Sequence, residues 1–102
     1  SNQFDIILSM EVIYYLDSPQ VVLNYIFSHL LNDRGCCIIG LDHYLENTNS
    51  LGWSNDLDVK MCTYSISKWK KIFKKAGFKN ITVTQFGKRK KWAGTLVLYG
   101  EK

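Results

Sequence analysis

The sequence predicts an α/β domain, and three observations favour this fold class. Residues 36–41 are a nearly unbroken run of small and branched apolar residues, typical of a strand covered on both faces. Residues 4–10 form a second short apolar run, and the segment between the two runs has the spacing of a helix. A strand, a helix and a strand in this order predict a βαβ unit with parallel strands and a right-handed crossover.

The helix between these strands has a clear start. Ser18 is a good N-cap and Pro19 suits the first helical position, where its missing N–H costs nothing. Apolar residues then recur at helical spacing, and they predict a wide face that lies on a sheet: Val22, Leu23, Tyr25, Ile26, Phe27, Leu30 and Leu31. Gly35 is expected to close this helix, because glycine adopts a left-handed backbone easily.

The second half of the chain predicts a helix and a hairpin. Ser65 caps a helix over residues 66–76, and Gly77 ends it. Residues 80–86 alternate between apolar and polar types, as a half-buried strand does, and residues 95–99 form a closing strand. Strands joined by a turn pair antiparallel, here through a basic turn at residues 87–92. Residues 43–64 are irregular but contain apolar and aromatic side chains, which predicts a folded flap.

The length of the chain limits the number of domains that it can form. Its 102 residues are expected to make one domain, with Ser1 and Asn2 as a remnant of cloning. A strand of the buried type almost at the first residue predicts that the domain begins further upstream.

Charge is divided unevenly along the chain. Residues 1–59 carry one basic and eight acidic residues, whereas residues 60–102 carry twelve basic residues and one acid. This asymmetry suits an anionic partner, although an exposed lysine-lined helix face needs no partner at all. Three cysteines without a C-x-x-C pattern predict reduced thiols in the cytoplasm, and no metal site is expected. No apolar run reaches the ~20 residues of a membrane span.

Taken in order, these segments resemble the C-terminal half of a class I S-adenosylmethionine-dependent methyltransferase. Four stretches carry the resemblance: FDIILSMEV at 4–12, LLNDRG at 30–35, the helix from Ser65 through Trp69 to Ala76-Gly77-Phe78, and GTLV at 94–97. The resemblance covers essentially the whole chain. It implies a partial Rossmann-like sheet of strand order 4-5-7-6 in the family's numbering, with the last strand antiparallel and two main helices on one face.

The resemblance also implies S-adenosylmethionine as the methyl donor of the intact enzyme. In this family, a glycine-rich turn and an acidic residue that binds the ribose belong to the other half of the domain. The 102 residues contain no G-x-G-x-x-G, so no cofactor-binding residue is assigned and the chain alone is expected to be inactive. One sheet face would then lack part of its cover, which predicts a homodimer through that face or the free edge.

Candidate site residues follow the two parallel strands, because ligands bind at the carboxyl ends of strands in such sheets. His43 is the first candidate for a general base, since its ordinary pKa lies near neutrality, and Glu11 is the second. The residues expected to contact the acceptor are Ser9, Met10, Asp42, Tyr44, Tyr14 and Trp53.

The acceptor is expected to be a small molecule. The signature of adenine N6-methyltransferases, a polar residue followed by two prolines and an aromatic residue, is absent after Leu8. The alternative is a nucleic-acid-binding module or part of an RNA methyltransferase, which would use the lysine-rich helix and the segment Lys88-Arg89-Lys90-Lys91.

Overall fold

The structure, a computed structural model, describes residues 3–102, so the two residues interpreted as a cloning remnant lie outside the described part. The main elements in chain order are β1 (Phe4–Met10), α1 (Pro19–Tyr25), β2 (Leu31–Leu41), α2 (Trp53–Leu57), α3 (Ile66–Ala76), β3 (Lys79–Phe86) and β4 (Thr95–Glu101). Single turns of 3-10 helix cover Ile13–Tyr15 and Thr48–Ser50, and a π turn covers Ile26–Leu30.

The four strands form one sheet in the order β1-β2-β4-β3. β1 and β2 are parallel, and β4 is antiparallel to both of its neighbours. This is the predicted order 4-5-7-6 with an antiparallel last strand, so the predicted fold class is confirmed. Helices α1 and α3 contact each other and share a core with one sheet face, centred on buried residues such as Leu23, Ile39, Trp69, Phe73 and Leu98.

The opposite sheet face has no covering layer within the described residues. Ile6 and Leu8 of β1 are 64% and 62% exposed. Leu8 pairs with Ile38, and Ile38 pairs with Tyr99, so these side chains share the face. We call it the uncovered face; its other members are Phe4, Met10, Cys36, Val97, Thr95, Thr82, Thr84 and Phe86, with Glu101 and Lys79 at one end.

The first helix and the turn after it differ from the prediction. The α-helix ends at Tyr25, continues as the π turn, and passes directly into β2 at Leu31, five residues earlier than expected. The left-handed residue is Arg34, with φ of 69°, and not Gly35. Glycine is required at 35 for another reason: a Cβ there would lie 2.8 Å from the Asn32 carbonyl oxygen. Tyr25, assigned to the buried face, is instead 55% exposed, and its ring centroid lies 4.8 Å from that of His29, which is also exposed.

Helix α3 forms as predicted from local signals. The Ser65 hydroxyl oxygen accepts a hydrogen bond from the Lys68 N–H at 3.0 Å, and Gly77 ends the helix with φ of 114°. Trp69, Ile72 and Phe73 are buried on the sheet side. The basic turn is closed by an isolated bridge between Arg89 and Trp92.

All three cysteines are free thiols. Among residues 3–102, no three His, Cys, Asp or Glu side chains are grouped to hold a metal ion. In the same part of the chain, every helix is too short or too polar to cross a membrane.

Candidate active site at the ends of two parallel strands

The carboxyl ends of β1 and β2 lie side by side, because the two strands are parallel and adjacent. The Glu11 N–H donates a hydrogen bond to the Gly40 carbonyl oxygen at 2.8 Å, which holds the residue after β1 against the end of β2. Glu11 has φ of 61°, a left-handed conformation that non-glycine residues rarely adopt. Such backbone strain is concentrated at functional sites. Glu11 is therefore fixed where the sequence predicted the acceptor side of a site.

Glu11 and Tyr14 form a hydrogen-bonded pair at this edge of the sheet. The Tyr14 hydroxyl donates to Glu11 Oε2 at 2.8 Å, across the 3-10 turn that contains Tyr14. Burial raises the pKa of Glu11, the Tyr14 hydrogen bond lowers it, and the nearby Asp42 charge raises it again. Burial and the bond to Glu11 also raise the pKa of Tyr14, which keeps its proton. The pair holds a carboxylate of raised basicity in one orientation, as a general base requires.

His43 is fully buried, and both of its ring nitrogens are hydrogen-bonded inside the protein. Nδ1 lies 3.0 Å from the Ser50 carbonyl oxygen and Nε2 lies 2.7 Å from the Thr63 hydroxyl. A carbonyl oxygen can only accept, so Nδ1 carries the proton and Nε2 accepts from Thr63 in the neutral ring. Burial lowers the pKa of His43 despite the bond to Ser50. His43 thus ties the end of β2 to the flap, and a general-base role would require Thr63 to release Nε2.

The side chains of Asp42 and Tyr44 also form hydrogen bonds within the protein. Asp42 Oδ1 accepts a hydrogen bond from the Thr95 hydroxyl at 2.6 Å. The Tyr44 hydroxyl donates to the Gly94 carbonyl oxygen at 2.7 Å and accepts from the Gln85 amide at 3.2 Å. These contacts fix the end of β2 to β3 and β4. Their predicted contact with an acceptor stays a prediction.

Ser9 and Met10 point to opposite faces of the sheet, since successive strand residues alternate. Ser9 is half-buried, whereas Met10 is 47% exposed on the uncovered face. The Met10 side chain lies over Gly40, where a Cβ would be 2.3 Å from the sulfur. The structure therefore separates these two predicted site residues.

A row of aromatic rings leads away from the Glu11–Tyr14 pair. The centroid of the Tyr14 ring lies 5.4 Å from that of His43, and the His43 ring lies 6.1 Å from that of Trp53. Trp53 continues the row to Trp92, 6.4 Å away. Both indoles are half-buried. The structure thus brings the candidate residues Tyr14, His43 and Trp53 together and adds Trp92 to them, while their roles stay predictions.

Sequence reasoning missed three polar residues that position this edge. Asn47 and Ser50 are fully buried in the flap, and Gln85 is half-buried on β3. The Asn47 side chain donates to the Asp42 carbonyl oxygen at 2.8 Å, and the Ser50 hydroxyl donates to the Asn47 carbonyl oxygen at 2.8 Å. The density of Asn and Ser after the second strand was the available signal, because such residues make local side-chain-to-backbone bonds.

The strand order, the antiparallel last strand and the two helices on one face are those of the Rossmann-like methyltransferase fold. A family model described as a methyltransferase domain matches residues 1–83. The chain therefore belongs to this methyltransferase-domain family. A comparison with curated proteins gives no match.

Solved structures share the fold. The methyltransferase in the Haloferax volcanii complex with the Trm112 methyltransferase activator is similar with a TM-score of 0.81 and 21% identity, over 98% of this chain and 54% of that chain. A possible histamine N-methyltransferase from Thermotoga maritima has a TM-score of 0.75 and 21% identity, over 99% of this chain and 56% of that chain. The N-methyltransferase NodS from Bradyrhizobium japonicum, in complex with S-adenosyl-L-homocysteine, has a TM-score of 0.66 and 15% identity, over 100% of this chain and 47% of that chain. The chain thus spans about half the length of these proteins, and at such identities the likeness concerns the fold alone.

Proposed function

We propose that this chain forms the acceptor side of an S-adenosylmethionine-dependent methyltransferase that acts on a small molecule. The observation that carries the proposal is the strained, hydrogen-bonded Glu11 beside the end of β2, in a chain of this family. When bound, the donor supplies an electrophilic methyl group on a sulfonium. The chain's own residues would orient the acceptor and take its proton.

Glu11 is the first general base in this proposal, with Tyr14 orienting its carboxylate. The carboxylate is half-buried and has a raised pKa, whereas both nitrogens of His43 already have partners. His43, predicted as the base from its pKa, would act only after exchanging Thr63 for the acceptor. Trp53 would flank the acceptor as part of the aromatic row.

Glu11→Gln in the full-length protein tests this assignment. The amide keeps the shape of the side chain but cannot take a proton, so methyl transfer to a panel of small acceptors should fall by about 10²–10⁴-fold in kcat. Donor binding should stay the same. Asp17→Asn is the matched control, because it removes one exposed carboxylate away from the strand ends. An unchanged kcat in Glu11→Gln would overturn the role of Glu11.

The 102-residue chain by itself is proposed to lack donor binding and activity. Support comes from the sequence, which has no glycine-rich turn to receive the methionine and ribose groups. Calorimetric titration of S-adenosylmethionine into the chain is expected to show no heat of binding, and micromolar affinity would contradict this. Three free thiols agree with a reducing compartment such as the cytoplasm.

Self-association of this chain is a further part of the proposal. The uncovered face carries exposed Ile6, Leu8 and Met10, and β1 is an edge strand with one unpaired side. Among the strand residues that the structure describes, the register places Glu101 and its neighbour Lys79 near one end of this face, so two copies could meet over the rest of it with little desolvation of charge. A homodimer through this face is therefore expected.

A nucleic-acid acceptor is the second candidate, and one observation favours it. Lys70, Lys71 and Lys74 of α3 line a groove of about 630 Å³, separate from the cations of the basic turn. A polyanion that contacts both sets would bind with a steep dependence on salt. A gel shift with single-stranded RNA at two salt concentrations would detect it.

A further inference from the structure

The basic turn has a fixed shape. Arg89 and Trp92 exchange two backbone hydrogen bonds of 2.9 Å, which closes the turn around Lys90 and Lys91. Lys91 adopts a left-handed backbone, with φ of 65°. The turn is therefore held at its base, and its three lysines and one arginine project from a defined frame.

Side chains from the flap and from β3 hold this turn in place. Tyr44 donates to the Gly94 carbonyl oxygen, and the Asn47 side-chain oxygen accepts from the Ala93 N–H at 3.4 Å. The Gln85 amide donates to the Ala93 carbonyl oxygen at 3.1 Å, and the Asn49 amide donates to the carbonyl oxygen of Lys91. The position of the turn relative to the strand ends is thus set by several hydrogen bonds, two of them from fully buried residues.

A pocket of about 400 Å³ lies between the basic turn and the flap. Its lining residues are Glu46, Thr48, Gln85, Lys88, Arg89, Lys91, Trp92 and Ala93. Three cations therefore face one carboxylate. That carboxylate is already engaged, because Glu46 Oε1 accepts a hydrogen bond of 3.0 Å from the N–H of Ile66, the first residue of α3. The helix N-terminus partly offsets the Glu46 charge, so the pocket is positive.

The aromatic row connects this pocket to the candidate active site. Trp92 lines the pocket and lies next to Trp53, which lies next to the ring of His43. Half-buried indoles offer flat apolar faces on which a planar group can stack. His43 and Tyr14 are buried, so the surface that this row offers to a ligand is that of the two indoles, next to the positive charge of the pocket.

We infer that the pocket is an anion-binding subsite for the acceptor, and that the acceptor is a planar or aromatic molecule carrying a carboxylate or a phosphate. The inference rests on the proposed function and adds a substrate class to it. Arg89 supplies a planar fork that matches either anion with two parallel hydrogen bonds, and Lys88 and Lys91 add point charges. Trp53 and Trp92 flank the planar part.

The test is a binding measurement that needs neither methyl donor nor turnover. The protein is titrated with 4-hydroxybenzoate, phenyl phosphate and neutral 4-hydroxybenzamide, and binding is followed by the quenching of tryptophan fluorescence. At least one anion should bind about tenfold or more tightly than the amide, a difference of about 1.4 kcal/mol. The better of the two anions identifies the group that the pocket takes.

Two triple variants show whether the pocket is responsible. K88Q/R89Q/K91Q should abolish the preference for the anion over the amide. K70Q/K71Q/K74Q removes the same charge from the α3 groove and should keep the preference. All six side chains are exposed, so both variants are expected to fold, and thermal melting by circular dichroism checks this.

Three results would overturn the inference. They are equal binding of anion and amide by the wild type, equal loss in both triple variants, and RNA binding that depends on both lysine sets while the small anions fail. Failure of the proposed function would look different, because a full-length protein that selects anions at the pocket but never binds S-adenosylmethionine would keep the subsite and lose the proposed methyl transfer.

Discussion

Glu11 and His43, the two candidate bases after β1 and β2, differ in how far along the chain their hydrogen-bonding partners lie. Glu11 takes its hydrogen bond from Tyr14, three residues away, so the sequence could place this pair on one short turn. His43 takes its partners from Ser50 and Thr63, seven and twenty residues away. The chemistry of His43 was visible in the sequence, but its burial was not, since both partners come from a flap without regular periodicity.

The buried His43 predicts a dependence of stability on pH. Its pKa is lowered in the folded protein, so below about pH 6.5 the unfolded chain binds more protons than the native one. The free energy of unfolding should therefore fall as pH drops from 7 to 5.5, by at most about 1.4 kcal/mol per pH unit. Urea denaturation at several pH values measures it.

His43→Gln provides the control for this dependence, because an amide does not titrate. The variant is expected to be less stable at pH 7, but the part of the pH slope that belongs to His43 should disappear. The same slope in wild type and variant would mean that other groups cause it, and the protonation state assigned to His43 would be wrong.

At the scale of elements, local signals were sufficient where the element depends on its own residues. Ser65 and Gly77 bound α3 as predicted, since a cap acts through backbone groups within one turn. The first helix was predicted less well. Its π turn and early entry into β2 depend on how Leu31 pairs with Phe4 on another strand, and the register shift after this pair absorbs the extra residues. Periodicity in one segment does not contain that information.

The basic turn depends on glycine at one end far more than at the other. Gly94 has φ of 98°, and a Cβ there would lie 2.7 Å from the Phe86 carbonyl oxygen. Gly87 has φ of 72°, but a Cβ there would meet nothing within 4 Å. Gly87→Ala should therefore cost only the left-handed conformation, about 1–2 kcal/mol. Gly94→Ala should cost about 1–3 kcal/mol more, because the backbone must move.

Chemical denaturation of the two variants compares these costs. Because Tyr44 donates to the Gly94 carbonyl oxygen, Gly94→Ala should also disturb the contact between Trp53 and Trp92 and change the tryptophan emission. Gly87→Ala should leave the emission unchanged. If both variants lost the same stability, the close approach at Gly94 would not be a constraint on the fold.

For the molecule as a whole, the order of elements was the most predictable property. Two apolar runs around a helix imply parallel strands, and an alternating strand followed by a turn implies an antiparallel pair. The order of the four strands, with β4 beside β2, was implied by the resemblance to class I methyltransferases and not by these local patterns. The candidate site could not be predicted from the sequence to the same extent. Its positive pocket joins the flap, β3 and the basic turn, and only the fold shows that Trp92 stands beside Trp53.

The uncovered face leads to a prediction about assembly. Ile6 on this face and Val21 on α1 are both 64% exposed, so a charge at either position meets water equally in a monomer. If two copies associate through the uncovered face, Ile6→Glu would bury a carboxylate in the interface and should shift the dimer to monomer. Val21→Glu carries the same charge on the helix side and should leave the dimer intact.

Sedimentation equilibrium over a range of concentrations distinguishes the two variants. The wild type is expected to be dimeric, and the dissociation constant of Ile6→Glu should rise by about 10²-fold or more, the cost of burying an unpaired charge at several kcal/mol. Equal weakening in both variants would place the contact elsewhere. A wild-type chain that stays monomeric at high concentration would mean that the exposed apolar side chains of β1 are tolerated in water without a partner.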